Sequence, residues 1–368
     1  MFLRMGRIIN PWGDHFFIDK TILVAMPKRV LFFLIVPLLW TAGCEILGDD
    51  GGHICLPPPC PPNANCLNQC GDIFTADAHG GNPINLTHSL VRERGPVWSP
   101  DGSQIAFIKG TGQGSAAIYI MTRSGAHQRR LTEPGSYGSM TWSPDGAALA
   151  FALERVLYII NADGTAERRL TTTLPSIGPL WSPQGGQLLF FAKSEERWNL
   201  YVIDADGTHE QRLTNMPRVA QFATWSPDGS QIVFSAGNED GRNDIYVINT
   251  DGAGLHRLTS PDSHDNGPVW SPDGEYIAYR ARAEDRVSVT LIRADGSNRR
   301  VLVDGISNEL AWSPDGQTIV YSAHEGGASH ALFLLDVESG HTQPFADLAT
   351  EEYDLQWSPD GSRILFGG

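Results

Sequence analysis

The phrase Trp-Ser-Pro-Asp-Gly begins at Trp98, Trp142, Trp225, Trp270, Trp312 and Trp357, with a variant "WSPQGG" at Trp181. Successive tryptophans lie 44, 39, 44, 45, 42 and 45 residues apart. Self-similarity at a period near forty implies stacked or radially arranged units, each too small to bury its own apolar face. One unit reads "WSPDGSQIVFSAGNEDGRNDIYVINTDGAGLHRLT", from Trp225. Its Ser-Pro-Asp-Gly segment is a turn: Pro227 presets φ, the Asp228 side chain bonds nearby backbone, and Gly229 tolerates positive φ. "QIVF" and "DIYVI" are β-branched and aromatic runs bounded by turn residues, and hence strands. "NTDG" makes a second hairpin turn into the short strand "HRLT". With the strand that carries the tryptophan, each period supplies four antiparallel strands, and no stretch shows the 3.6-residue periodicity of a helical repeat. The chain is therefore expected to be an all-β propeller of four-stranded blades.

The last unit stops after "WSPDGSRILFGG". Its missing half stands at the other end of the repeat region, where "DIFTADAHGGNPINLT" from Asp72 parallels "DIYVINTDGA…HRLT". Seven tryptophan halves then meet seven outer halves, the others starting near Ile118, Val156, Leu200, Ile245, Val289 and Leu332. The expectation is seven blades over residues 72–368, closed by pairing of N- and C-terminal strands in one sheet.

The N-terminal region has a different character. From Met26 it reads "MPKRVLFFLIVPLLWTAGCEI": basic Lys28 and Arg29, an apolar run from Val30 to Trp40, small residues, and Cys44. This is a secretory signal layout, too short for the ~20 apolar residues of a membrane-spanning helix. The remaining cysteines, Cys55, Cys60, Cys66 and Cys70, lie in the Pro-rich "CLPPPCPPNANCLNQC". Four cysteines in an exported chain imply two disulfides with three possible pairings, and the segment lacks the paired CxxC spacing of a zinc site. Residues 1–43 thus read as a signal region, with a natural start at Met26 possible, and residues 44–71 as a braced stalk. Without residues 1–43 the chain keeps 22 Lys+Arg against 40 Asp+Glu, a balance of −18. Such a surface excludes nucleic acid and anionic lipid headgroups as partners. Simple solubility explains the same charge.

The ending "TAGC" resembles the lipobox of bacterial lipoproteins, which implies lipid attachment at Cys44. Thr41 stands where that family usually has Leu, and an ordinary signal peptide cleaved near Gly43 is the plainer alternative. Glu45 lacks the Asp that retains lipoproteins at the inner membrane in Gram-negative relatives, so the resemblance implies an outer-membrane address. The repeat itself, "WSPDGSQIVF…DIYVINTDG…HRLT", resembles the TolB-type propeller repeat over residues 72–368. That resemblance implies an envelope module that binds partner proteins, here as a monomer and without a cofactor. The chain departs from TolB in having one more blade and no α/β domain ahead of the ring.

Chemistry is not expected. The hydrolases that carry such propellers need a G-x-S-x-G elbow on an α/β domain, and "GGASHA" around Ser329 lacks the second glycine. Oligogalacturonate lyases share a similar ring and bind a metal through histidines. The candidates here, His88, His264, His324 and His330, show no short ligand spacing. A small-ligand or carbohydrate-binding module remains a further alternative. The turns at Asp163, Asp206, Asp251 and Asp295 lead straight into strands and lack the Glu that ends an EF-hand loop, so no metal is expected there. Trp198, outside the motif, is read as cover for its blade or as a partner contact.

Strand alternation places the WSPDG and DADG turns on one face and the longer links on the other. The turns barely vary, whereas the links differ in every blade, and loops on a rigid scaffold carry binding residues. The partner-binding candidates are Tyr137, Arg218, His264, Asp265, Asn308, Glu309, Tyr353 and Asp354, which precede the inner strands and should rim one mouth of the central channel. Aromatic and Arg residues are expected as anchors, with carboxylates selecting a cationic partner.

Overall fold

The computed structural model describes residues 71–79, 83–112, 114–171, 174–216, 220–238, 241–260, 263–283, 286–324, 330–348 and 353–367, with the strands Gly6–Ile9, His15–Ile18, Cys44–Glu45 and Ile54–Cys55. Two compact units divide the chain, Met1–Gln69 and Cys70–Gly368. In the first, Gly6–Ile9 pairs with His15–Ile18 and Cys44–Glu45 pairs with Ile54–Cys55, both antiparallel. Cys60, Cys66, Cys70, Arg218 and the side chains of Cys44 and Cys55 lie outside the described residues, as does most of the signal-like segment. No helix among the described residues is long and apolar enough to cross a membrane.

The second unit is a seven-bladed β-propeller of four-stranded antiparallel blades. Numbered along the chain, the inner strands of blades 1–6 are Glu93–Trp98, Tyr137–Trp142, Ser176–Trp181, Ala220–Trp225, His264–Trp270 and Ile306–Trp312. Blade 7 runs Tyr353–Trp357, Arg363–Gly367, Ile73–Asp77, Ile84–Asn85, so the N-terminal strands complete the C-terminal sheet as expected. Its splice is five residues long, from Arg363 opposite Asp77 to Gly367 opposite Ile73.

Each blade builds its core against the next. On the second strand, Phe107, Phe151, Phe190, Phe234, Tyr279, Tyr321 and Phe366 occupy one equivalent place and are buried. Most stack on a third-strand aromatic, as Phe234 does on Tyr246 at 5.6 Å. Burying each such ring contributes about 1.5–3 kcal/mol. Some of the motif tryptophans sew inner strands together: the indole N–H groups of Trp142, Trp225 and Trp357 donate to the Val97, Leu180 and Ala311 carbonyls of the preceding blades at 3.0–3.2 Å, whereas those of Trp98, Trp181 and Trp270 have no partner among the described residues.

The turn that gives the repeat its signature is a closed hydrogen-bond cassette. In blade 4, Ser226 Oγ and the Ser230 N–H both donate to Asp228 Oδ1, at 2.6 and 3.0 Å. Ser226 Oγ in turn accepts from the Gln231 N–H at 2.9 Å. Gly229, at φ 69°, takes the left-handed step that lets the turn close.

Candidate functional site

All seven inner strands carry a register shift two to five residues before the tryptophan, at the link-face end. Such a bulge bends the strand and re-aims side chains. The residue three before the tryptophan is Gly95, Gly178 or Gly267 in blades 1, 3 and 5, each with φ of 61–65°. In blade 4 that residue is Phe222, at φ 46°, and in blade 7 it is Asp354, at φ 66°. A bulky side chain in the left-handed region is a true outlier. Phe222 is nonetheless 53 % exposed, and the Arg280 guanidinium of blade 5 sits 5.8 Å from its ring centroid. Ile177, one position earlier in blade 3, is also exposed. The link-face mouth therefore has an apolar arc on blades 3 and 4.

Across the mouth, blades 6 and 7 present carboxylates. Glu309 Oε2 accepts from the Leu355 N–H of blade 7, and Asp354 Oδ2 accepts from the Gly95 N–H of blade 1, both at 2.9 Å. Arg94 Nη2 donates to the Tyr137 carbonyl of blade 2 at 2.7 Å. Each interaction passes to the next blade, so this arc also holds the ring closed at its seam. Burial pushes both carboxyls above the usual carboxylate range, against the lowering effect of their backbone donors. Burial likewise lowers Arg280, which Glu309 partly offsets.

The sequence-predicted residues separate by position. Tyr137 and Asp265 were expected at an open rim, but they are 5 % and 0 % exposed. They stand five residues before their tryptophans, as do the buried Glu93 and Ser176, where the side chain points between blades. The Tyr137 hydroxyl donates to the Glu133 carbonyl at 2.6 Å. Asp265 Oδ2 accepts from Ser263 Oγ at 2.9 Å while Oδ1 has no partner, and burial raises its pKa. His264 is half-buried, its Nδ1 accepting from the Asn243 N–H at 3.1 Å. The side chains of Asn308 and Tyr353 lie outside the described residues. Glu309 and Asp354 alone of the eight have side chains described at the mouth's bulge. Sequence reasoning missed Phe222, Ile177, Arg94 and Arg280. The signal was present for Phe222: "FATW" stands where three blades read "GPVW" or "GPLW".

Among the described residues no three His, Cys, Asp or Glu converge to hold a metal ion. His88 is exposed on the link after the outer strand of blade 7, remote in kind from His264 at an inner strand. The side chains of His324 and His330 lie outside the described residues.

The TolB beta propeller domain family matches residues 174–359, half of the chain. The Tol-Pal system protein TolB of Alcanivorax borkumensis is 36 % identical over 81 residues, covering 22 % of this chain and 19 % of its own length. An uncharacterized peptidase, YuxL of Bacillus subtilis, is 35 % identical over 89 residues, covering 23 % of this chain and 14 % of its own. The chain thus spans less than a fifth of these curated relatives. Among solved structures, an oligogalacturonate lyase in complex with manganese superposes with a TM-score of 0.67, covering 81 % of this chain and 96 % of the lyase at 16 % identity. That likeness is one of fold.

Proposed function

The chain belongs to the TolB β-propeller family, and from that premise we propose that it is an exported, lipid-anchored envelope protein whose ring is a non-catalytic scaffold for a protein partner. Cys44 carries the lipid, residues 44–71 form a stalk braced by Cys55, Cys60, Cys66 and Cys70, and the monomeric ring faces the periplasm from the outer membrane. The link-face mouth captures the partner, with Phe222 and Ile177 as apolar anchors and the Glu309–Asp354 arc opposite.

Phe222 carries this reading. Strain at a non-glycine residue persists where surrounding structure enforces it, and such outliers gather at functional sites. Three other blades relieve the same bulge with glycine. Blade 4 keeps an exposed aromatic there, the residue type enriched among binding anchors.

The test is in-cell crosslinking followed by pull-down, comparing wild type with Phe222→Gly. Glycine relieves the backbone and removes only the ring. The expected outcome is a folded, slightly more stable protein that loses a specific crosslinked partner. Undiminished capture by Phe222→Gly removes the mouth from the account. Mass spectrometry of the mature protein tests the anchor: an unmodified Cys44 defeats it.

A further inference from the structure

Leu90 is 79 % exposed, more than any other large apolar side chain among the described residues. It stands on the link from the outer strand of blade 7 to the inner strand of blade 1, with exposed Val91 and Arg92 after it. A single exposed leucine is ordinary on a soluble surface. Three features set this one apart.

The first is rigidity. Asn85 Oδ1 accepts from the N–H groups of Thr87 and His88, both at 2.9 Å, and His88 is held at φ 47°. Asp72 Oδ1 accepts from the Ser89 N–H at 2.7 Å, and Ser89 Oγ from the Val91 N–H at 3.3 Å. The Arg92 carbonyl accepts from the Gly110 N–H of blade 1 at 2.9 Å. A loose link would fold its leucine back onto the ring. This one is fixed with Leu90 outward, so little ordering entropy is left to lose on contact.

The second is charge. Residues 88–92 read "HSLVR" and carry no carboxylate. The neighbouring tip between the second and third strands of blade 1, residues 110–115, reads "GTGQGS" and carries none either. Each corresponding tip on the same face has at least one acid: Glu154 in blade 2, Glu195 in blade 3, Glu239 in blade 4, Glu284 in blade 5 and Glu325 in blade 6. In so acidic a chain, the corner shared by blades 7 and 1 is the part of this face that a layer of phosphates does not repel.

The third is position. The Glu93 N–H, one residue after Arg92, donates to the Gly71 carbonyl at 2.7 Å, and Ser89 is bonded to Asp72. The chain therefore enters the ring against the turn that carries Leu90. On the lipid-anchored reading given above, on which this inference rests, the tether to the bilayer starts at this corner. Tethering raises the effective concentration of the membrane, so a contact too weak to hold a free protein suffices.

We infer that this corner is a bilayer contact: Leu90 and Val91 enter the interfacial layer of a zwitterionic phospholipid membrane, and Arg92 meets its phosphates. The glutamates of the other tips hold the rest of the face away from the same phosphates. The ring then docks by one corner, and the apolar arc on blades 3 and 4 stays open to a protein partner.

The test uses the mature anchored protein in vesicles of phosphatidylethanolamine and phosphatidylcholine, a fraction of the latter bearing a photoreactive group on its acyl chain. After irradiation, peptide mass spectrometry reads lipid labelling of residues 83–94. Labelling is expected in wild type. It should fall at least about fivefold in Leu90→Ser, as removal of one buried leucine implies, while the protein stays with the vesicles through Cys44. Thr111→Glu, which gives blade 1 the acid of its neighbours, should lower labelling as well, and Arg92→Gln should lower it less. Phe222→Gly should leave it unchanged, which separates this corner from the mouth. The inference is overturned if vesicle-bound wild type is unlabelled at residues 83–94, if Leu90→Ser is labelled like wild type, or if Thr111→Glu has no effect. Protein that does not stay with the vesicles at all refutes the anchor, and this inference falls with it.

Discussion

The two faces of the ring use the same side chain in opposite ways. On the turn face, Asp101, Asp145, Asp228, Asp315 and Asp360 sit near water, each fed first by a serine hydroxyl that lowers its pKa, Asp101 to about 2. On the link face, Asp265, Glu309 and Asp354 are pulled out of water, and burial raises them. A carboxylate with local donors lowers the free energy of its turn, and every blade can repeat it. A carboxylate buried between blades carries a desolvation penalty that its backbone donors only partly offset. The repeated use stabilises the fold. At Glu309 and Asp354 the costly use lies where the ring closes, and at Asp265 on the face whose links differ from blade to blade.

The seam carries both faces, so breaking it should have the largest effect. Deleting residues 72–87 removes the two outer strands of blade 7 and leaves the edge of Arg363–Gly367 unpaired. The cooperative thermal transition is expected to disappear in calorimetry; a truncated protein that melts like the parent refutes the role of the splice. A single turn-face change is smaller. Asp228→Ala leaves Ser226 Oγ and the Ser230 N–H without their acceptor and should cost about 1–3 kcal/mol by chemical denaturation.

The faces were legible in the sequence to different depths. Six copies of one turn and a seventh variant revealed the blade, its strand directions and the splice, because Pro, Asp and Gly act through local geometry that a short window contains. The mouth was legible only in outline. Glu309 and Asp354 were named from their place before an inner strand, but nothing in that spacing pointed to their hydrogen-bond partners, Leu355 and Gly95, 46 and 259 residues away. Tyr137 and Asp265 were misplaced because the bulge alters the in–out alternation that sequence spacing assumes.

Acidity should distinguish the faces with a more modest effect. The turn-face aspartates have folded pKa values below the unfolded value near 3.9, so their contribution is present above that pH and is lost as pH falls toward about 2. The link-face groups have raised folded values. Their contribution is full below about 4 and is lost as pH rises through the raised values, because the folded state there binds more protons. Stability measured across pH should therefore climb from strong acid to weak acid and decline toward neutrality. Asp265→Asn should flatten the declining limb and leave the acid limb intact. An unchanged decline in that variant assigns the slope elsewhere.

Blade 3 offers the finest comparison, since it already lacks the turn carboxylate. Gln184 stands where the other blades have Asp, and its amide reaches across to the Asp228 carbonyl of blade 4. Without an acceptor inside the turn, the Ser182 Oγ to Gln187 N contact lengthens to 3.4 Å, against 2.9 Å for the same contact in blade 4. Gln184→Asp restores an acceptor for the Ser182 hydroxyl and the Gly186 N–H, and gives up one exposed crossing to blade 4. Two local bonds gained against one lost, each worth about 1 kcal/mol net, predict a gain of about 0.5–1 kcal/mol. The same substitution should shorten the Ser182–Gln187 contact and slow exchange of the Gln187 amide. If stability instead falls, the crossing to blade 4 outweighs the cassette, and the turn face is held together by contacts between blades as the link face is.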